Sequence, residues 1–118
     1  MKWGLVLAAV GGAFIPSLAV AQDVTSGNGH YIHCKNWMDR SAGGDPFMKG
    51  ACAGMVNALM LSGPYYPDAG KFCPPSAAPV RQGVRVVVSY MDKHPGEMHE
   101  NLFILAHKAM REAWPCKE

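Results

Sequence analysis

The sequence predicts an all-α fold: a small disulfide-linked domain of about four helices with one long Pro/Tyr-rich loop. Three observations carry that prediction. Apolar residues recur at spacings of three and four through most of the chain beyond residue 30. Four cysteines follow a leader-like N-terminus, in a chain that belongs to an oxidising compartment. Four prolines fall between residues 64 and 75, where they remove backbone donors and interrupt regular structure.

The leader is read from charge and patterning. Lys2 supplies a positive start, Leu5 to Val20 is mostly small and apolar, and Ala19-Val20-Ala21 forms an A-x-A cleavage signature before Gln22. Gly11, Gly12 and Pro16 interrupt the apolar stretch, which is short for crossing ~30 Å of hydrocarbon. Residues 1–21 are therefore expected to be a signal peptide cleaved after Ala21, with no membrane anchor left and the mature chain in the periplasm. Residues 22–29, with Ser26, Gly27, Asn28 and Gly29, are expected as a flexible lead-in, and residues 30–118 as a single helical domain. A domain this short buries only about 60–65 % of its unfolded surface, so its core needs staples. Cys34, Cys52, Cys73 and Cys116 predict two disulfides in one of three pairings. A Cys52–Cys73 bridge, as one example, would contribute roughly 3 kcal/mol in the chain-entropy account.

The first helix is expected from His30 to about Ala42, with Tyr31, Cys34 and Met38 on one face and Gly43-Gly44 as its stop. Asp45-Pro46 is a restart signal, an N-cap followed by a residue suited to the first helical position. The second helix, Phe47 to Leu61, is apolar almost all round, which predicts a place in the middle of the fold. Gly50 and Gly54, four apart, predict close approach by a neighbouring helix. Ser62-Gly63-Pro64 ends it. The segment from Tyr65 to Pro75 is expected to be an ordered loop held at Cys73.

The valines between 84 and 88 suggest a strand, but the polar positions overrule it. Arg81, Gln82, Arg85, Ser89, Asp92 and Lys93 trace one helical face, and Val80, Val84, Val87, Val88 and Met91 trace the other. This third helix ends near His94, before Pro95-Gly96. The last helix carries a buried stripe of Met98, Leu102, Leu105, Ala106, Ala109, Met110 and Ala113. Glu97 and Glu100 in its early turns and Lys108 and Arg111 in its late ones suit the helix dipole. Pro115 stops it, and Cys116 tethers its end.

No catalytic constellation emerges, and no enzyme is predicted. There is no G-x-S-x-G, and His99-Glu100 fails as H-E-x-x-H because position 103 is Phe. Asp92 with Glu97 and His94 with Glu100 could be drawn as acid–base pairs, but surface solvation explains them more simply. No C-x-x-C occurs and the five histidines are scattered, so neither a metal site nor a cofactor is expected. Eleven Lys/Arg against nine Asp/Glu make a nearly neutral chain with no basic stripe for nucleic acid. The exposed feature of most interest is the loop. Tyr65, Tyr66, Asp68, Lys71 and Phe72, stiffened by neighbouring prolines, are the residues predicted to contact a partner, since rigid aromatic anchors lose little entropy on docking. The competing reading is that these rings cover the core.

Cys52-Ala53-Gly54, then Phe72-Cys73-Pro74, Gln82 before the valine run, Tyr90-Met91, His94-Pro95, Ala106, Ala109-Met110 and Trp114-Pro115-Cys116 resemble the Rap/Tai family of type VI secretion immunity proteins. The similarity spans roughly residues 34 to 116. Where the family commonly has C-x-G-Y followed by Gly and Asp, this chain has Cys52-Ala53-Gly54-Met55 and then Ala58. The resemblance implies a helical, disulfide-bonded periplasmic inhibitor without catalytic residues, often a homodimer, that binds a secreted peptidoglycan amidase toxin. A periplasmic chaperone or envelope-stress protein, or a structural domain of unknown partner, is the alternative. Acid-dependent protection of an unfolded client would distinguish the chaperone.

Overall fold

The computed structural model describes residues 4, 9, 11–13 and 21–117, so the leader assigned to residues 1–21 lies largely outside the described residues. Four helices follow: α1 (Gly27–Met38), α2 (Pro46–Ser62), α3 (Val80–Lys93) and α4 (Leu102–Ala113). Helix α3 packs against α1, α2 and α4 and occupies the centre. Its valine run is helical, with Val84, Val87, Val88 and Met91 buried at the spacing the periodicity predicts.

Helix α1 starts three residues earlier than expected. Ser26 caps it by accepting from the Gly29 amide, and residues 27–29, placed by sequence in the lead-in, form its first turn. The strap before it is bonded to the far end of the chain. Gly27 and Asn28 donate to the Glu100 and Met98 carbonyls at 2.9 and 2.8 Å, and Thr25 accepts from Leu102 at 2.8 Å. The helix also ends early. Arg40 takes a left-handed backbone (φ 58). The Arg40 amide then donates to Trp37 at 3.2 Å and the Ser41 amide to Asn36 at 2.9 Å, which is a Schellman closure built without glycine. From α3, the Arg81 guanidinium donates to the Trp37 and Met38 carbonyls at 3.0 and 2.6 Å and stacks 4.7 Å from the Trp37 ring centroid. A residue expected on the solvent face of α3 thus caps α1.

Helix α2 obeys its start signal. The Asp45 carboxylate accepts from the Phe47 and Met48 amides at 2.9 and 3.3 Å. Its expected position in the middle of the fold is corrected. Met48, Cys52, Val56 and Leu59 are buried, but the opposite face is open, with Phe47 74 % and Leu61 68 % exposed. A Cβ on Gly50 or Gly54 would meet nothing within 4 Å. The close approach expected there occurs instead at Gly83 of α3, where a Cβ would lie 2.9 Å from Val56 and overlap the Met60 sulfur.

Helix α4 begins at Leu102, with Asn101 accepting from the Phe103 amide at 2.8 Å. Leu102, Leu105, Ala106, Ala109 and Met110 are buried as predicted, whereas Ala113 is exposed and Met98 lies before the helix. Glu97 and Glu100 also precede it and grip Lys108 from one side, at 2.8 and 2.9 Å.

Two disulfides complete the fold: Cys34–Cys52 between α1 and α2, and Cys73–Cys116 between the loop and the C-terminal segment. Cys52 and Cys73 are not joined to each other. Sequence separations of 18 and 43 residues correspond to about 3 and about 4 kcal/mol of chain-entropy stabilisation.

Candidate docking surface

The Pro/Tyr-rich segment leaves α2 through a 3-10 turn, Gly63–Tyr65, and is ordered by backbone bonds to one carbonyl. The Tyr66 and Phe72 amides both donate to Gly63 O at 3.3 Å, so the stretch between them closes on itself. Within it, Gly70 donates to Pro67 at 2.8 Å. The residue at the base has to be glycine for steric reasons. A Cβ on Gly63 would lie 2.6 and 2.8 Å from Phe72 ring carbons.

An aromatic stack supports the loop from α4. The His107 ring centroid lies 4.9 Å from Tyr66, 5.4 Å from Phe72 and 6.4 Å from Phe103. Its Nε2–H donates to the Gly70 carbonyl at 2.7 Å, which assigns the proton to that nitrogen. The far end of the loop is held by the Cys73 amide donating to Trp114 O at 2.8 Å and by the Cys73–Cys116 disulfide. No local sequence signal marks His107 as a loop support, because it lies 37 residues from Gly70.

The five residues predicted for partner contact separate by exposure. Tyr65 is 87 % exposed and Phe72 is fully buried. Tyr66 is half-buried on the stack, Asp68 is exposed and Lys71 is half-buried. Phe72 is therefore corrected from a contact residue to the ring on which the loop rests. Asp68 and Lys71 line a concavity of about 470 Å³ shared with Arg111, Pro115, Cys116 and Lys117. The surface so formed offers one projecting tyrosine beside a polar recess, on a backbone closed at both ends.

The drawn acid–base pairs are engaged elsewhere. Asp92 accepts from the Tyr31 hydroxyl at 2.6 Å, which ties α3 to α1. Glu97 accepts from Lys108 and Tyr90, and these bonds hold its carboxyl below the usual range. The same two carboxylates, Glu97 first and Glu100 second, raise Lys108. Burial together with the bond to Glu97 raises Tyr90, whose ring stacks on His94 at 3.9 Å. These groups brace the α3–α4 connection. Among the described residues, no cluster of three His, Cys, Asp or Glu side chains is placed to hold a metal ion. No helix among them is long and apolar enough to cross a membrane.

The fold is a small all-α scaffold cross-linked by two disulfides. A profile of the Rap1a immunity proteins matches residues 26–116, nearly the whole described domain, and the chain belongs to that family. Its role is accordingly that of an immunity protein, which acts by binding a toxin. Members of such a family are typically inhibitors and not enzymes. No curated protein and no solved structure gives a significant match.

Proposed function

We propose that this protein is a periplasmic immunity protein that occludes the active site of a peptidoglycan amidase toxin delivered by type VI secretion, using the loop from Tyr65 to Lys71 as its main contact. One observation carries the reading: Tyr65 projects, 87 % exposed, from a loop whose backbone is closed on Gly63 and whose base is stacked on His107. A preorganised aromatic tip enters a cleft without the entropy loss of ordering a mobile segment. Two disulfides and family membership support residence in an oxidising, exported setting. The test is calorimetric titration with a peptidoglycan amidase toxin of the type VI secretion class. Replacing Tyr65 and Tyr66 with Ala should weaken binding by about 2 kcal/mol or more, the range of an interface anchor. Unchanged affinity with an intact helical spectrum removes the loop from the contact.

The reading includes a homodimer formed through the open face of α2. Phe47, Gly50, Gly54, Ala58 and Leu61 run along it symmetrically about Gly54, at offsets of seven and four residues on either side. In an antiparallel two-fold pairing, Phe47 of one protomer meets Leu61 of its partner across the bare Gly54 backbone. An isologous interface requires this kind of self-complementarity.

A further inference from the structure

The two disulfides sit in opposite chemical surroundings. Cys34 and Cys52 are both fully buried within the apolar cluster formed by α1 and its neighbours. A thiolate could reach that bond only by leaving water and entering the core. Cys73 and Cys116 are partly exposed, and Cys116 forms part of the wall of the open concavity beside the loop. Lys71, Arg111 and Lys117 line the same recess, and among the described residues Asp68 is the one carboxylate that lines it. None of the three cations forms an ion pair among the described residues. Positive charge lining the recess attracts an incoming thiolate and raises its thiolate fraction beside Cys116.

We propose that Cys116 Sγ is a thiol–disulfide exchange site, attacked through this recess by the thiolate of a dithiol reductant, with Cys73 as the leaving group. The attacking sulfur forms a mixed disulfide with Cys116 as the Cys73–Cys116 bond breaks. The electron pair leaves on Cys73 Sγ, which then takes up a proton. The second thiol of the reductant displaces Cys116 as a thiol and closes the reductant's own disulfide, so two electrons pass to the protein. Cys34–Cys52 takes no part. Cys116 receives the attack because it lines the recess and Cys73 does not. The product keeps its loop closed on Gly63 and stacked on His107, but loses the covalent tie between the loop and the C-terminal segment. The proposal is independent of which partner the loop binds.

The experiment uses the full oxidised chain under native conditions. With limiting dithiothreitol, timed alkylation and peptide mass analysis should label Cys73 and Cys116 at least about tenfold faster than Cys34 and Cys52. With glutathione, a monothiol, the adduct should sit on Cys116 and the free thiol on Cys73. The triple variant Lys71→Gln, Arg111→Gln, Lys117→Gln should exchange with glutathione at least about threefold more slowly, and added salt should slow the native protein in the same way. Lys117→Gln alone, at an exposed position, repeats the charge test should the triple variant lose its helical spectrum. Equal rates for the two disulfides, an adduct on Cys73, or exchange indifferent to both charge and salt would each overturn the assignment.

Discussion

Exposure divides the loop into a support and a tip, and a pair of substitutions tests that division. Phe72 is fully buried against Gly63, Tyr66 and His107, whereas Tyr65 is 87 % exposed. Removing a buried phenyl ring loses its transfer free energy and leaves a cavity, together about 3–5 kcal/mol for Phe→Ala. A domain of this size has a total stability of only about 5–14 kcal/mol, so Phe72→Ala removes a large share of it. At about 4–8 °C per kcal/mol, the melting temperature should fall by about 12–40 °C. Tyr65→Ala should stay within about 0.5 kcal/mol of the parent, because its ring has little native packing to lose. Circular dichroism melts of the oxidised proteins read both numbers directly. A Phe72→Ala loss below about 1 kcal/mol, or a Tyr65→Ala loss above about 2 kcal/mol, would mean that the support and the tip have been exchanged.

Other outcomes follow from the same geometry. The Ser26 hydroxyl, then the Ser26 and Thr25 amides, hold the Asp23 carboxyl down to about 2, so its stabilisation is present above its ordinary value of 3.8 and lost as pH falls towards 2. Asp23→Asn should flatten stability against pH across that window, and an acid limb identical to the parent's would discount the strap. Gly54→Glu on the open face of α2 has room for its side chain and should fold normally, yet set like charges together at the two-fold axis and shift a dimer to monomer in sedimentation equilibrium. Paired Cys34→Ala and Cys52→Ala should lower stability by about 3 kcal/mol or more, seen as an earlier urea midpoint, since that bridge closes an 18-residue separation inside the core. Gly83→Leu should destabilise by at least about 1–3 kcal/mol through overlap with Val56 and Met60, whereas Gly50→Ala should be neutral or slightly stabilising.

Much of the fold was legible because its signals act within a turn or two of backbone. The valine run of α3 reads as a helix from the polar residues interleaved with it, and Asp45-Pro46 locates the start of α2. The end of α1 was not legible. Arg40 adopts the left-handed backbone usually left to glycine, and Arg81, more than 40 residues away, supplies the missing cap. The candidate surface was half legible. Pro and Tyr density marks the loop in the sequence, but Tyr65 and Phe72 have the same aromatic character and only their surroundings tell them apart.

Chain chemistry alone thus determined the helical periods, the capped start of α2, the presence of paired cysteines and the segment too rich in proline to be regular. That the cysteines pair follows from an even count in a chain read as exported, and the other features depend on hydrogen bonds and side-chain spacings between near neighbours, which the order of residues specifies directly. Tertiary structure decided which cysteines join, which face of α2 is left uncovered, and which ring of the loop points inward. Burial is a relation between distant segments: α2 looks equally apolar on every side until α1 and α3 cover one face and leave Phe47, Gly54 and Leu61 open to solvent.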